Sequence, residues 1–98
     1  MSMKVLAIEK EMPGLSSEDF KPHLKAEASK VWELYQSGII REIYFDKNTH
    51  NAVIMLECKD AKEAGEYLAT LPLVKEKLIS FEIMELEAYS GFCRLFGD

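Results

Sequence analysis

The chain has 98 residues, 48% of them hydrophobic and 30% charged, with five glycines and three prolines, which fits one globular domain over residues 1–98 and excludes a fibrous or disordered segment. Its formal net charge of −5 comes with no lysine- or arginine-rich run, so the electrostatic footprint of a binder of nucleic acid or of an anionic membrane is missing, and small molecules or protein are the expected partners. No apolar run approaches the roughly 18 residues of a membrane span, and the N-terminal MSMKVLAIEKEM soon returns to charge, so a cytoplasmic protein is expected.

In chain order, KVLAIE (residues 4–9) is a short β-type run closed by the turn signal Pro13-Gly14. Ser16 and Ser17 ahead of Glu18 and Asp19 supply a helix N-cap with acid in the first turn. Phe20, Leu24, Ala28, Val31 and Tyr35 then recur at helical spacing, and Gly38 stands where a helix-ending glycine belongs. Pro22 lacks an N–H, so the start is expected to be irregular, with a regular helix from about that residue. IIREIYF (residues 39–45) and NAVIMLEC (residues 51–58) are rich in β-branched and aromatic residues and flank the polar loop DKNTH, which predicts an antiparallel hairpin. Asp60 with Glu63 is a capping pair, and Ala61, Ala64, Leu68 and Leu71 form the stripe of a second helix that Pro72 stops. ISFEIMEL (residues 79–86) is the fourth strand, followed by the aromatic tail AYSGFCRLF. The order β-α-β-β-α-β is the split-βαβ, ferredoxin-like arrangement, an α+β fold with an antiparallel sheet and two helices on one face.

Two helices cover one face of a sheet, yet NAVIMLEC sends Ala52, Ile54, Leu56 and Cys58 one way and Val53 and Met55 the other. The economical cover for the second apolar face is a second copy of the sheet, which predicts a homodimer, or a higher assembly of dimers. The tail over residues 88–98, with Tyr89, Phe92, Leu95 and Phe96, is expected in that interface; the alternative is a tail folded back over its own sheet.

The segment HLKAEASKVWELYQSGIIREIYF, followed after the hairpin by a strand, a short helix and LPLV, resembles the muconolactone Δ-isomerase family of dimeric α+β barrels. The register runs with little or no gap over residues 13–73 and loosens through the fourth strand. The matching pieces are Pro13, LKAE at residues 24–27, Gly38, Arg41 and LPL at residues 71–73. Gly38 and LPL also have structural explanations, as a helix stop and as core leucines flanking a proline whose nitrogen needs no partner. This chain departs from the family in carrying Thr49 where the family has a hairpin histidine, with His50 one place later; Ile40 and Tyr44 replace tryptophans, and Ala28 and Ser29 replace a charged cluster.

The resemblance implies proton transfer within an unsaturated lactone that bears a carboxylate, which calls for a base, an acid and a cation to hold negative charge. Glu27, Lys25 and Arg41 are the candidate catalytic residues, and Trp32, Tyr44 and His50 the candidate substrate-binding residues. Lys25, Ser29 and Trp32 share a helix stripe that suits either a pocket edge or an ordinary amphipathic border. Glu27, four residues after His23, suits either a proton shuttle or a solvated pair. Arg41 alternates with Ile39, Ile43 and Phe45, placing a guanidinium on an apolar strand face; its partner is either a ligand carboxylate or an internal glutamate, Glu57 or Glu82.

No metal or cofactor is expected, because His23, His50 and the widely spaced Cys58 and Cys93 lack ligand spacing. Three classes follow: a cofactor-free isomerase of an anionic cyclic or unsaturated substrate, a cofactor-free oxygenase with Trp32, Tyr35 and Tyr44 lining its pocket, and a non-catalytic ligand-binding or interaction dimer.

Overall fold

A computed structural model describes residues 2–97, so Met1 and the tail's last residue, Asp98, lie outside the described residues. The elements run β1 (Met3–Glu11), α1 (Ser17–Phe20), α2 (Leu24–Gln36), β2 (Ile40–Phe45), β3 (Ala52–Cys58), α3 (Ala61–Leu68), α4 (Pro72–Lys75) and β4 (Ile79–Glu85). The four strands make one antiparallel sheet in the order β2-β3-β1-β4, which is the ferredoxin-like α+β topology expected from the sequence.

Local chemistry accounts for the element ends. The Asp19 carboxylate accepts a hydrogen bond from the Ser16 amide at 2.8 Å and starts α1. Pro22 sits in the 3₁₀ turn Lys21–His23, where its missing N–H breaks nothing, and α2 follows. The backbone of Gly38, at φ +86°, takes the left-handed conformation that ends α2. Asp60 caps α3 by accepting from the Glu63 amide at 2.8 Å. Pro72 does more than stop a helix: α3 has already ended, and the proline opens α4 at its first position, where no hydrogen bond is lost. The LPL segment beyond the end of α3 is therefore a helical turn held by buried Leu71 and Leu73.

The registers Val5↔Leu56 and Ala7↔Ile54 put these four residues on the helix-facing side, and they form the core with Leu34, Ile40, Cys58, Ala64, Leu68 and Leu71. The opposite side carries Leu6, Ile8, Val53 and Met55 in the same ladder, so both faces of the sheet are apolar. The pairs Lys4–Glu57 and Lys10–Glu82, each at 3.6 Å, share that outer face. Strand alternation is broken once. Ile40 pairs with Leu56 and Glu42 with Met55, which leaves Arg41 as the extra residue of a β-bulge and lets Ile40 and Ile43 both face the helices.

After β4 the chain leaves the body. The Leu86 amide makes a last bond to the Lys4 carbonyl at 3.0 Å, and a 3₁₀ turn follows at Gly91–Leu95. Tyr89 and Phe92 meet edge to face at 4.9 Å, yet Tyr89, Phe92, Leu95 and Phe96 stay 65–84% exposed, so the tail does not fold back to bury them on its own sheet. The radius of gyration of 15.8 Å exceeds the roughly 13 Å of a compact chain this long. No helix among the described residues is long and apolar enough to cross a membrane.

Candidate functional site

The apolar stripe of α2 does not seal against the sheet. Leu34 is its one buried residue; Leu24 and Tyr35 are about half exposed and Trp32 is 58% exposed. Between this stripe and the helix-facing side of the sheet lies a cleft of about 1200 Å³, bordered mainly by apolar and aromatic side chains and reached by residues of all four strands. Its lining, apolar with a few polar groups, suits a small organic ligand. Trp32 and Tyr35 stack at 5.9 Å on the helix wall, and Phe45 and His50 stack at 4.0 Å at the hairpin end.

Two carboxylates enter this apolar space from opposite walls. Glu27 projects from α2 and accepts a hydrogen bond at Oε1 from the Leu73 amide of α4, at 2.9 Å. Glu9 projects from β1 and accepts at Oε1 from the Ala52 amide of β3, at 2.7 Å. Burial raises the pKa of Glu27 above the ordinary carboxylate range; the Leu73 amide opposes the shift and the charge of Glu9 adds to it. Burial also raises Glu9, against the Ala52 amide and the nearby His50 and together with Glu11.

Five of the six residues selected from sequence border the cleft: Glu27, Arg41, Trp32, Tyr44 and His50. Lys25 does not; it is exposed, one position off the stripe that faces the cleft. Tyr44 pairs with Val53 on the outer side of β2, so the lining wraps around this edge strand, and its hydroxyl donates to Glu42 Oε1 at 2.9 Å. That bond holds the phenol above its ordinary pKa. His50 lies in the left-handed region, at φ +62°, after a loop in which Asp46 Oδ2 accepts from both the amide and the hydroxyl of Thr49 at 2.8 Å. The turn thereby occupies Thr49 and swings His50 onto Phe45.

The bulge overturns the placing of Arg41 in strict alternation with Ile39, Ile43 and Phe45. The guanidinium is exposed, with Nε donating to the Gly38 carbonyl at 2.7 Å, and it forms no ion pair among the described residues. Glu57 and Glu82 pair instead with Lys4 and Lys10. The remaining guanidinium nitrogens are free for an anion at the cleft's edge.

Sequence reading passed over Glu9. A signal was present, because Glu9 shares strand parity with the buried Val5 and Ala7, and a carboxylate at such a position has to find a partner or a function. Among the described residues no group of three His, Cys, Asp or Glu side chains gathers as a metal site. Cys58 is buried and Cys93 exposed, and both are free thiols. Comparison with protein-family models and with curated proteins finds no match.

Proposed function

We propose that the protein is a cofactor-free proton-transfer enzyme, an isomerase of the muconolactone isomerase type, acting on an anionic unsaturated or cyclic substrate in the cytoplasm as a homodimer. The observation that carries this reading is the Glu27 carboxyl, half-buried in an apolar cleft and pushed toward its protonated form, with the unpaired guanidinium of Arg41 on the same lining. Such a carboxyl is suited to exchange a proton with a substrate carbon. Arg41 is suited to hold the substrate carboxylate and so fix which carbon faces Glu27. The dimer reading is supported by the apolar outer sheet face and the aromatic tail standing off the body, which together offer more apolar surface than a monomer usually leaves in water.

The test is proton NMR of a carboxylate-bearing β,γ-unsaturated lactone incubated with the protein in D₂O. Migration of the double bond with deuterium uptake is expected. Absence of exchange across a panel of such lactones and aromatic acids would refute the enzyme reading and leave a ligand-binding dimer. The stacked Trp32 and Tyr35 on the cleft wall favour a second reading, a cofactor-free oxygenase of phenolic substrates. Oxygen uptake with a phenol would select it.

A further inference from the structure

We propose that Glu9, a residue outside the matched family segments, is a second proton-transfer residue of the cleft and works with Glu27 as an acid–base couple. This rests on the proton-transfer reading of the same site. The argument is geometric. The two carboxyls come from different elements, β1 and α2, and each is fixed through Oε1 by a backbone amide of a third, Ala52 of β3 and Leu73 of α4. Among the described residues neither Oε2 has a protein hydrogen bond, so one oxygen of each remains available for chemistry in the cavity that both border. Moving a double bond by one position needs a proton removed at one carbon and another delivered two carbons away, and two groups on opposite walls do this without the substrate turning over.

Burial opposes charge on both carboxyls. Glu11 on the same strand opposes the ionised form of Glu9 more strongly than His50, approaching from the hairpin, favours it. Ionised Glu9 in turn disfavours charge on Glu27. The remaining charged groups on the lining are Lys21, Arg41 and Glu42. In the proposed couple the ionised member, taken as Glu9, is the base and the protonated member, Glu27, the acid. Glu9 removes the proton next to the substrate carbonyl; the C–H pair becomes the new double bond of a dienolate, whose negative charge rests on oxygen. Glu27 then gives its proton to the distal carbon, the dienolate electrons form that C–H bond, and the carbonyl is restored. The enzyme ends with Glu9 protonated and Glu27 ionised, and one proton passing back through water resets it.

The experiment joins carboxyl ¹³C NMR titration to deuterium-exchange kinetics on the intact chain and on Glu9→Gln and Glu27→Gln. Coupling requires that the titration midpoint of Glu27 falls in Glu9→Gln, and that of Glu9 in Glu27→Gln. With the lactone as probe, Glu9→Gln should cut proton removal by about 10²–10⁴-fold and change KM by less than about three-fold. It should also abolish the decline in kcat at low pH, where Glu9 becomes protonated. An unmoved Glu27 midpoint would overturn the pair, since no interaction would join the groups. Wild-type exchange rates in Glu9→Gln, with Glu27→Gln inactive, would overturn the role of Glu9 and leave the proposed function standing. A wild-type protein inert toward every lactone, with the midpoints still coupled, would instead fail the proposed function and take the catalytic role with it.

Discussion

One pair of substitutions separates the tethering contact of Glu27 from its proposed part in proton transfer. Its Oε1 accepts the Leu73 amide at 2.9 Å and so ties α2 to α4, while its charge is opposed by burial. Glu27→Ala removes the acceptor and leaves an amide in the first turn of α4 without its partner. A hydrogen bond to a charged group is worth about 1.5–3 kcal/mol. The site is half open, so water replaces part of this and relief of the buried charge offsets more, leaving a loss of about 1–2 kcal/mol. At roughly 4–8 °C per kcal/mol for a domain of this size, the melting temperature falls by about 5–15 °C. Glu27→Gln keeps an oxygen acceptor and loses only the charge, so its stability should lie within about 1 kcal/mol of the parent. Both variants should lose lactone exchange by about 10²-fold or more. Thermal melts and exchange rates on the two proteins make the comparison. If Gln destabilises as much as Ala, the negative charge supports the fold, and the reasoning that burial opposes it is wrong. If Gln keeps full activity, Glu27 is a helix tether and nothing else.

Arg41→Met should cost less than about 1 kcal/mol of stability, because the guanidinium is exposed and bonds only the Gly38 carbonyl. The affinity for anionic lactones, by calorimetry, should fall by about 1.5–3 kcal/mol; unchanged affinity would remove Arg41 from the site. Light scattering should give a dimer or a multiple of one, and deletion of residues 89–98 should weaken it; a well-behaved monomer at micromolar concentration would refute the barrel assembly. Glu9 and Glu27 both titrate above their ordinary value of 4.5 in the folded chain, so the native state binds more protons than the unfolded one between that value and the raised ones. Their contribution to stability is full below 4.5 and declines as pH rises through the raised pKa values, so urea midpoints should drop over that window and drop less in Glu27→Gln. Asp46 and Glu57, shifted downward, act with the opposite sign and at lower pH.

The strands were legible because alternation and β-branched composition are local signals, and each observed strand begins and ends within two residues of its expected place. The helix starts and the stop at Gly38 were legible for the same reason, since caps and left-handed glycines act over four or five residues. The bulge at Arg41 was not. An extra residue in one strand shows only against its partner, and the clue in this chain is that Ile40 and Ile43, at odd spacing, both have to reach the core. Pro72 misled in a smaller way, because a proline that cannot continue one helix is well suited to begin the next.

The site was half legible, and the missing half has one physical cause. A stripe such as Leu24, Val31 and Tyr35 has the same periodicity whether it seals against a sheet or stands off it, because the pattern reports which side of a helix is apolar and not what covers that side. What turned this stripe into a cleft wall lies outside it. The bulge in β2 moves the sheet's edge, the hairpin turn aims His50 inward, and α4 sets its first-turn amide where Glu27 reaches it. Glu9 follows the same logic from the other wall. A carboxylate in line with Val5 and Ala7 would be a defect in a sealed core, and it is tolerated because the space above it is open and the Ala52 amide holds one of its oxygens. The feature that weakens the fold as a closed core is the one that opens a cleft and leaves two carboxyls on its lining.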